Sequence, residues 1–279
     1  MSSLSKRGKD YVDKRRFLLQ KIKSNNYLDF KGDGLNSVIK KIKTNYSVCD
    51  FLLEFKKLSV VFKKNLRNFY AIKNISFSLR NDDVLGLVGG SGSGKTTLGR
   101  VLCGIENDFL GYYNKGGSVF LKKNIQMVYQ DPFSSFNPKI KCGDSVQEII
   151  DLFKSKITVN DLFSLVNLDY NYINKYPHEL SGGEKQRLSV ARVIASFPKV
   201  IVFDESLSGL DLDVRFSILN LIRFINKFLR VGIVFISHDI SSVSYLCKRI
   251  LVLKNGEIID LFNSKNINSK NRKPYTKKL

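Results

Sequence analysis

An α/β fold built on a mostly parallel sheet, with a helical insertion, is predicted for this 279-residue chain by three features. Val84–Val88, Val200–Phe203, Ile233–Ser237 and Ile250–Lys254 are short, nearly continuous apolar runs, the pattern of strands buried on both faces. Segments of helical character separate them: Thr96–Cys103, Gly183–Ala195, Val214–Leu229 and Ser241–Leu246. Strand alternating with helix implies a parallel sheet covered on both sides. Between the first two buried strands, Asp144–Phe153, Thr158–Val166 and Asn171–Tyr176 read as a more polar helical section inserted into that alternation.

The remaining elements are read in order. Leu52–Phe55, Leu58–Phe62 and Ala71–Leu79 have strand character, with Lys63–Phe69 as a polar loop between them. Asn255-Gly256 after the last buried strand is a hairpin turn signal. Residues 1–48 are rich in Lys, Asn and Gly and read as a basic extension, largely irregular, with one short helix near Tyr11–Lys23. The main domain is expected over 49–265, with its helical subdomain at about 140–185, and 266–279 as a basic tail.

Composition narrows the function classes. With 43% hydrophobic and 25% charged residues the chain has the balance of an ordinary soluble domain. No apolar run approaches the ~18 residues of a membrane span. The first residues, SSLSKRGKDYVDKRR after Met1, lack the apolar core of a signal peptide. A role at a membrane would therefore come through a partner. Cys49, Cys103, Cys142 and Cys247 are scattered, which argues for reduced thiols rather than a disulfide framework or zinc site. The net charge of +21 suits a nucleic-acid or acidic-lipid surface. However, alanine occurs only at 71, 191 and 195, tryptophan is absent, and Lys, Asn, Ile, Phe and Tyr abound. That usage is what an AT-rich genome produces, and it is the favoured account of a charge that is spread along the chain rather than gathered into one patch.

Gly89-Gly90-Ser91-Gly92-Ser93-Gly94-Lys95-Thr96 fits the P-loop pattern G-x-x-x-x-G-K-[ST] between a buried strand and a helix. Its glycines let successive N–H groups converge, and the helix N-terminus adds positive potential, so the segment through Thr97 can cradle phosphates. Lys95 supplies charge at the β- and γ-phosphates and Thr96 a hydroxyl ligand for Mg²⁺. Val200-Ile201-Val202-Phe203-Asp204-Glu205 is a buried strand ending in two acids at the sheet's carboxyl edge. Asp204 is placed to hold the Mg²⁺ shell, and Glu205 to take a proton from attacking water.

Leu180-Ser181-Gly182-Gly183-Glu184-Lys185-Gln186-Arg187 resembles the LSGGQ-type signature of ABC ATPases. Gln130 matches that family's Q-loop glutamine, Ser208-Gly209-Leu210-Asp211 its D-loop, and His238, after a buried strand, its switch histidine. The resemblance spans about Leu52 to Asp260. It implies the P-loop ABC ATPase fold, with a parallel core sheet, a small antiparallel β-subdomain and an α-helical subdomain. It further implies ATP and Mg²⁺ as cofactors and an ATP-sandwiched dimer, in which Ser181, Gly182, Gly183 and Glu184 face the partner's P-loop. Gln130 would contact Mg²⁺ and the attacking water, and His238 the γ-phosphate. Phe62 fits the adenine-stacking position, with Tyr70 as the alternative.

Within the family, Met127-Val128-Tyr129-Gln130-Asp131-Pro132-Phe133-Ser134-Ser135-Phe136-Asn137-Pro138 and the tail Lys273-Pro274-Tyr275-Thr276-Lys277-Lys278-Leu279 resemble the oligopeptide/dipeptide importer branch. The intervals Lys95–Gln130 and Gln130–Ser181 are shorter than in that branch, and Ser206 stands where proline is usual. The resemblance implies integral membrane permease subunits, a second ABC ATPase unit and a solute-binding protein as partners, with no nucleic acid. The expected location is the cytoplasmic face of the inner membrane. A soluble ABC ATPase acting on nucleic acid or ribosomes is the alternative that the charge would suit. Lys9–Leu19 also echoes the tail motif and a Gly32-Asp33-Gly34 linker follows, as if this were the second unit of a tandem ATPase; a basic leader is the other reading.

Overall fold

The computed structural model describes residues 51–64, 67–80, 82–114, 124–132, 135–155 and 157–279. The 1–48 extension, its expected helix and its tail-like segment, together with Cys49, Phe133 and Ser134, lie outside the described residues. In chain order the elements are β1 (Phe51–Lys64), β2 (Arg67–Arg80), β3 (Val84–Val88), α1 (Lys95–Leu102), β4 (Phe109–Asn114) and β5 (Ile125–Val128). There follow α2 (Cys142–Leu152), α3 (Val159–Leu165), α4 (Gly182–Ala195), β6 (Val200–Asp204), α5 (Leu212–Leu229) and β7 (Gly232–Ile236). The chain continues with α6 (Ile240–Leu246), β8 (Arg249–Lys254), β9 (Glu257–Asn263) and α7 (Pro274–Lys278).

The central sheet has strand order β5-β6-β7-β3-β8-β9. Every pairing in it is parallel except β8 with β9, which the Asn255-Gly256 turn joins. Both turn residues have positive φ, 51° and 80°, as a type I′ hairpin requires. The apolar runs are continuous because successive side chains enter different cores. Val84, Ile201, Phe203, Ile233, Phe235, Ile250 and Val252 face one cluster, which also takes α5 and the helices α2–α4. Leu85, Leu87, Val200, Val202, Val234, Ile236, Leu251 and Leu253 face the other, with α1 and the antiparallel sheet β2-β1-β4.

Two expectations need correction. The polar loop expected at Lys63–Phe69 is strand for most of its length: β1 runs to Lys64, β2 starts at Arg67, and Phe62 pairs with Phe69. This end of the ribbon projects beyond the core with Phe62, Lys63, Asn68 and Phe69 exposed, so composition there reports solvent rather than secondary structure. The helix expected at Asn171–Tyr176 is a 3₁₀ turn, Tyr170–Asn174, started by the Asp169 carboxylate accepting from the Asn171 N–H. One turn is about as far as that geometry extends. Among the described residues no helix is long and apolar enough to cross a membrane. Cys103, Cys142 and Cys247 are buried free thiols.

The seam between β3 and α6 is tight. A Cβ on Gly86 would lie 2.5 Å from Val243 Cγ1 and 3.0 Å from Cys247 Sγ, and a β-branched side chain on a helix has no rotamer to yield. Gly86→Ala is expected to cost about 1–3 kcal/mol, the range for overpacking a filled core. Adding Val243→Ala should return part of that loss. Urea unfolding midpoints of the two variants check both statements.

Candidate functional site

The phosphate-cradle segment sits where β3 ends. Gly89 accepts no side chain, because a Cβ there would lie 2.2 Å from the Leu253 carbonyl oxygen. Gly94, the N-cap of α1 at φ 103°, is equally confined: a Cβ would meet Ala71 O at 2.5 Å. With a glycine cap there is no side chain to satisfy the first turn, so the amides of Lys95, Thr96 and Thr97 remain as donors for an external anion. The loop is held by Ser93 N–H donating to Gly90 O and Gly256 N–H to Ser93 O. Ser93 Oγ is buried and has no hydrogen-bond partner among the described residues.

Lys95 is buried, and its ammonium donates to Gly89 O at 2.9 Å and Gly90 O at 3.0 Å. An ammonium carries three protons, so one remains for the cavity. Glu205 meets this group from the end of β6, with Oε1 3.8 Å from Lys95 Nζ. Its other oxygen, Oε2, is 3.4 Å from Nδ1 of His238, two residues past β7. Thr96 Oγ1 donates to Asp204 Oδ1 at 3.2 Å. Burial, and then the neighbouring Glu205 charge, raise the Asp204 carboxyl above its usual range against the opposing pull of Thr96 and Lys95.

Lys95, Thr96, Glu205 and His238 border one open cavity of about 640 Å³, lined by the rest of 88–97, Gln130, Phe62 and Phe69 among others, with Asp204 behind Thr96. Its volume falls within the ~300–1,000 Å³ of small-molecule sites. Amide donors, a lysine and an unpartnered serine at one end, with two aromatic rings among the walls, fit a nucleoside triphosphate. Thr96 Oγ1 beside Asp204 Oδ1, with the Gln130 amide on the same cavity, is a set of hard oxygen donors suited to Mg²⁺. Tyr70, the alternative to Phe62, does not line the cavity, whereas Phe69 does. Sequence reading missed Phe69 because it placed the residue in a loop; its cross-strand pairing with Phe62 puts both side chains on one face.

The signature segment lies elsewhere on the chain and does not line this cavity. Ser181 caps α4 in a capping box: its Oγ accepts from the Glu184 N–H, and Glu184 Oε2 accepts from the Ser181 N–H at 2.7 Å. The Tyr172 hydroxyl donates to Glu184 Oε1 at 2.6 Å, and this is the main cause holding that carboxyl below its usual range. Gly183 has no room for a Cβ, which would come 2.5 Å from Val214 Cγ1. In the Ser208–Asp211 stretch, the Ser208 N–H and Oγ both donate to Glu205 O. Gly209 turns at φ 78°, Leu210 reaches Gly182, and Asp211 precedes α5. Arg215, not singled out from the sequence, donates to Leu210 O at 3.0 Å and to Asp239 Oδ2 at 3.3 Å.

Comparison with known proteins identifies the family. Residues 72–208 match the family described as ABC transporter. The oligopeptide transport ATP-binding protein OppF of Streptococcus mutans is 38% identical over 246 residues, covering 82% of this chain and 80% of that protein. The dipeptide transport ATP-binding protein DppF of Lactococcus lactis subsp. cremoris is 34% identical over 252 residues, again 82% and 80%. Among solved structures, cbiO1 from Clostridium perfringens, part of the ABC transporter complex cbiONQ, superposes with a TM-score of 0.69 over 79% of this chain and 92% of its own, at 24% identity. The ATP-binding cassette MJ0796, solved as a dimer in a post-hydrolysis state bound to ADP and Pi, gives 0.67 over 76% and 98% at 22% identity. The structures share the fold, and the sequence relatives sustain their identity across four-fifths of their own length. This chain belongs to the ABC transporter family, alongside the ATP-binding proteins of oligopeptide and dipeptide transport.

Proposed function

We propose that this chain is the ATP-binding and ATP-hydrolysing subunit of an ABC importer for peptides or a related small solute. It would work peripherally, at the cytoplasmic face of the cell's inner membrane, with integral permease subunits, a second ATPase unit and a solute-binding protein. The observation that carries the catalytic part is the meeting of Lys95, Glu205 and His238 in one cavity at the mouth of the P-loop. The transport part is supported by relatives named for oligopeptide and dipeptide transport.

In this reading the amides of Lys95, Thr96 and Thr97 and the third proton of the Lys95 ammonium hold the β- and γ-phosphates, and Phe62 and Phe69 hold the adenine. Thr96, Asp204 and Gln130 would hold Mg²⁺, whose chemistry is to neutralise charge shared between the β- and γ-phosphates. Glu205 accepts a proton as the water oxygen bonds to the γ-phosphorus. The bond to the β–γ bridging oxygen breaks and ADP carries the electron pair away. His238 orients that carboxylate and donates to the γ-phosphate. Ser181, Gly182 and Gly183 of one protomer close over the nucleotide of the other, with Glu184 fixing the Ser181 cap and Ser208–Asp211 bordering the joint.

Replacing a positioned base typically costs 10²–10⁴-fold in rate. Glu205→Gln should therefore bind ATP as the native chain does and turn over at about a hundredth of its rate or less. In sedimentation the same variant is expected to dimerise with Mg-ATP; a monomer with ATP bound would assign the pairing to a different ATPase unit. Phe62→Ala and Phe69→Ala should weaken ATP by about 1–3 kcal/mol, the usual value of base stacking on an aromatic ring, and leave inorganic triphosphate affinity unchanged. Calorimetric titration with the two ligands separates the adenine contribution from that of the phosphates.

A further inference from the structure

The tail motif Lys273–Leu279 has no role in the chemistry above, yet it is fastened to the phosphate loop. Asp260 on β9 accepts from the Arg272 guanidinium at 3.3 Å, the Lys273 N–H at 3.4 Å and Thr276 Oγ1 at 3.1 Å. Arg272 also lies over the Phe262 ring, 4.3 Å from its centre. Thus seated, α7 packs the Tyr275 ring against the larger core cluster, with the Lys254 ammonium 4.9 Å from the ring centre. The ring is held by apolar contact and by a cation, so its hydroxyl has a defined place. That place is 2.9 Å from the Gly90 N–H, which donates to it across 185 positions of sequence.

This contact falls on a particular peptide unit. The Gly90 N–H and the Gly89 carbonyl belong to one trans peptide and point in opposite directions. The carbonyl accepts from Lys95 Nζ at 2.9 Å and the amide donates to Tyr275. The plane is therefore gripped from both sides, by the lysine on one and the tail on the other. Neither flanking residue has a side chain, and glycine allows nearly free rotation of such a plane; an external acceptor is what sets it. The approach is close: a Cβ on Gly90 would lie 3.2 Å from the Tyr275 hydroxyl.

We propose that Tyr275 is a positioning residue of the nucleotide site. Its hydroxyl fixes the Gly89–Gly90 peptide, and through that peptide the direction in which the Lys95 ammonium is presented to phosphate. The proposal rests on the reading that the P-loop binds ATP. It names a determinant of nucleotide affinity that lies outside the P-loop and acts only through it.

The test uses the full 279-residue chain and the variant Tyr275→Phe, which keeps the ring and its packing and removes only the acceptor. Four quantities are read: amide hydrogen exchange of the Gly90 segment without nucleotide, the Kd for ATP, the thermal midpoint, and kcat at saturating ATP. One neutral hydrogen bond corresponds to roughly a three- to tenfold change in an equilibrium constant. The expected result is faster exchange at Gly90, a Kd for ATP raised about that much, a thermal midpoint lowered by no more than about 4 °C, and kcat at saturating ATP within about twofold of native. Asp260→Ala, which frees the tail, should raise the Kd by a similar factor, and adding Tyr275→Phe to it should raise it no further. Native exchange in Tyr275→Phe would overturn the clamp, and faster exchange with a native Kd would overturn the positioning role. A native chain without ATP affinity would sink the functional reading instead, and the exchange measurement would still decide the clamp.

Discussion

The register of three parallel strands is the constraint from which the site follows. β7 lies between β3 and β6, with Leu87 level with Ile236 and Ile236 level with Asp204. The ladder continues past the strand ends, as Ser237 N–H donates to Leu87 O and Glu205 N–H to Ile236 O. Just past the ends of the three strands come the start of the phosphate loop, Glu205 and His238. This register brings Glu205 level with the histidine loop and the phosphate loop, from which His238 Nδ1 at 3.4 Å and, by way of α1, Lys95 Nζ at 3.8 Å reach its carboxylate. A slip of one residue would shift a strand by about 3.3 Å and turn every side chain to the opposite face. Since these strands are apolar on both faces, hydrophobicity alone would resist such a slip weakly. Hydrogen bonds at the strand ends and the different shapes of the two cores do more to set the level.

Glu205 carries the local cost of this arrangement. At φ 45° it sits in the left-handed region, which for a residue with a Cβ costs about 1–2 kcal/mol. The structure opposes that cost with the Glu205 N–H bond to Ile236 O and with two donors, the Ser208 N–H and Oγ, on its carbonyl. The same stretch then leads to Leu210 against Gly182 and to Arg215, which joins Leu210 O to Asp239 beside His238. Asp239 in turn caps α6 by accepting from the Ser241 N–H. The carboxylate, the D-loop-like turn, the N-terminus of α4 and the histidine loop are therefore one connected set, in which each member limits the freedom of the next.

How much of this was legible in the sequence follows from what each feature depends on. The buried strands and the helices between them were visible because two-sided burial leaves a continuous apolar run that little else produces. The P-loop and the acids after β6 were visible because their chemistry depends on residue type in sequence order. β4, β5 and β9 were not singled out: β4 and β9 are exposed on much of their length, and β5 has only four residues. Phe69 was lost with the hairpin, whose outer end has no buried face to impose a period of two. The tail's composition is basic, and nothing in it announces that Tyr275 reaches Gly90. That contact is written in the Asp260 carboxylate, which organises residues 272–276 and has no local sequence signal.

The N-terminus of α4 presents the opposite problem, since a glutamate in the first turn of a helix should compete with any anion that the helix would otherwise attract. The arrangement of Glu184 removes much of that competition. One carboxylate oxygen is taken by the Ser181 N–H and the other by the Tyr172 hydroxyl, so its charge is turned into the capping box and the helical section rather than outward. What remains open at this end is the Ser181 hydroxyl proton and the amides of Gly182 and Gly183, which lack intrahelical acceptors. Within one chain these donors stand away from the cavity that holds Lys95. In the proposed function a phosphate bound in that cavity would meet such donors on a second copy or a second ATPase unit. The position of these donors supports the dimer of the proposed function, and Tyr172, through Glu184, helps to keep them available.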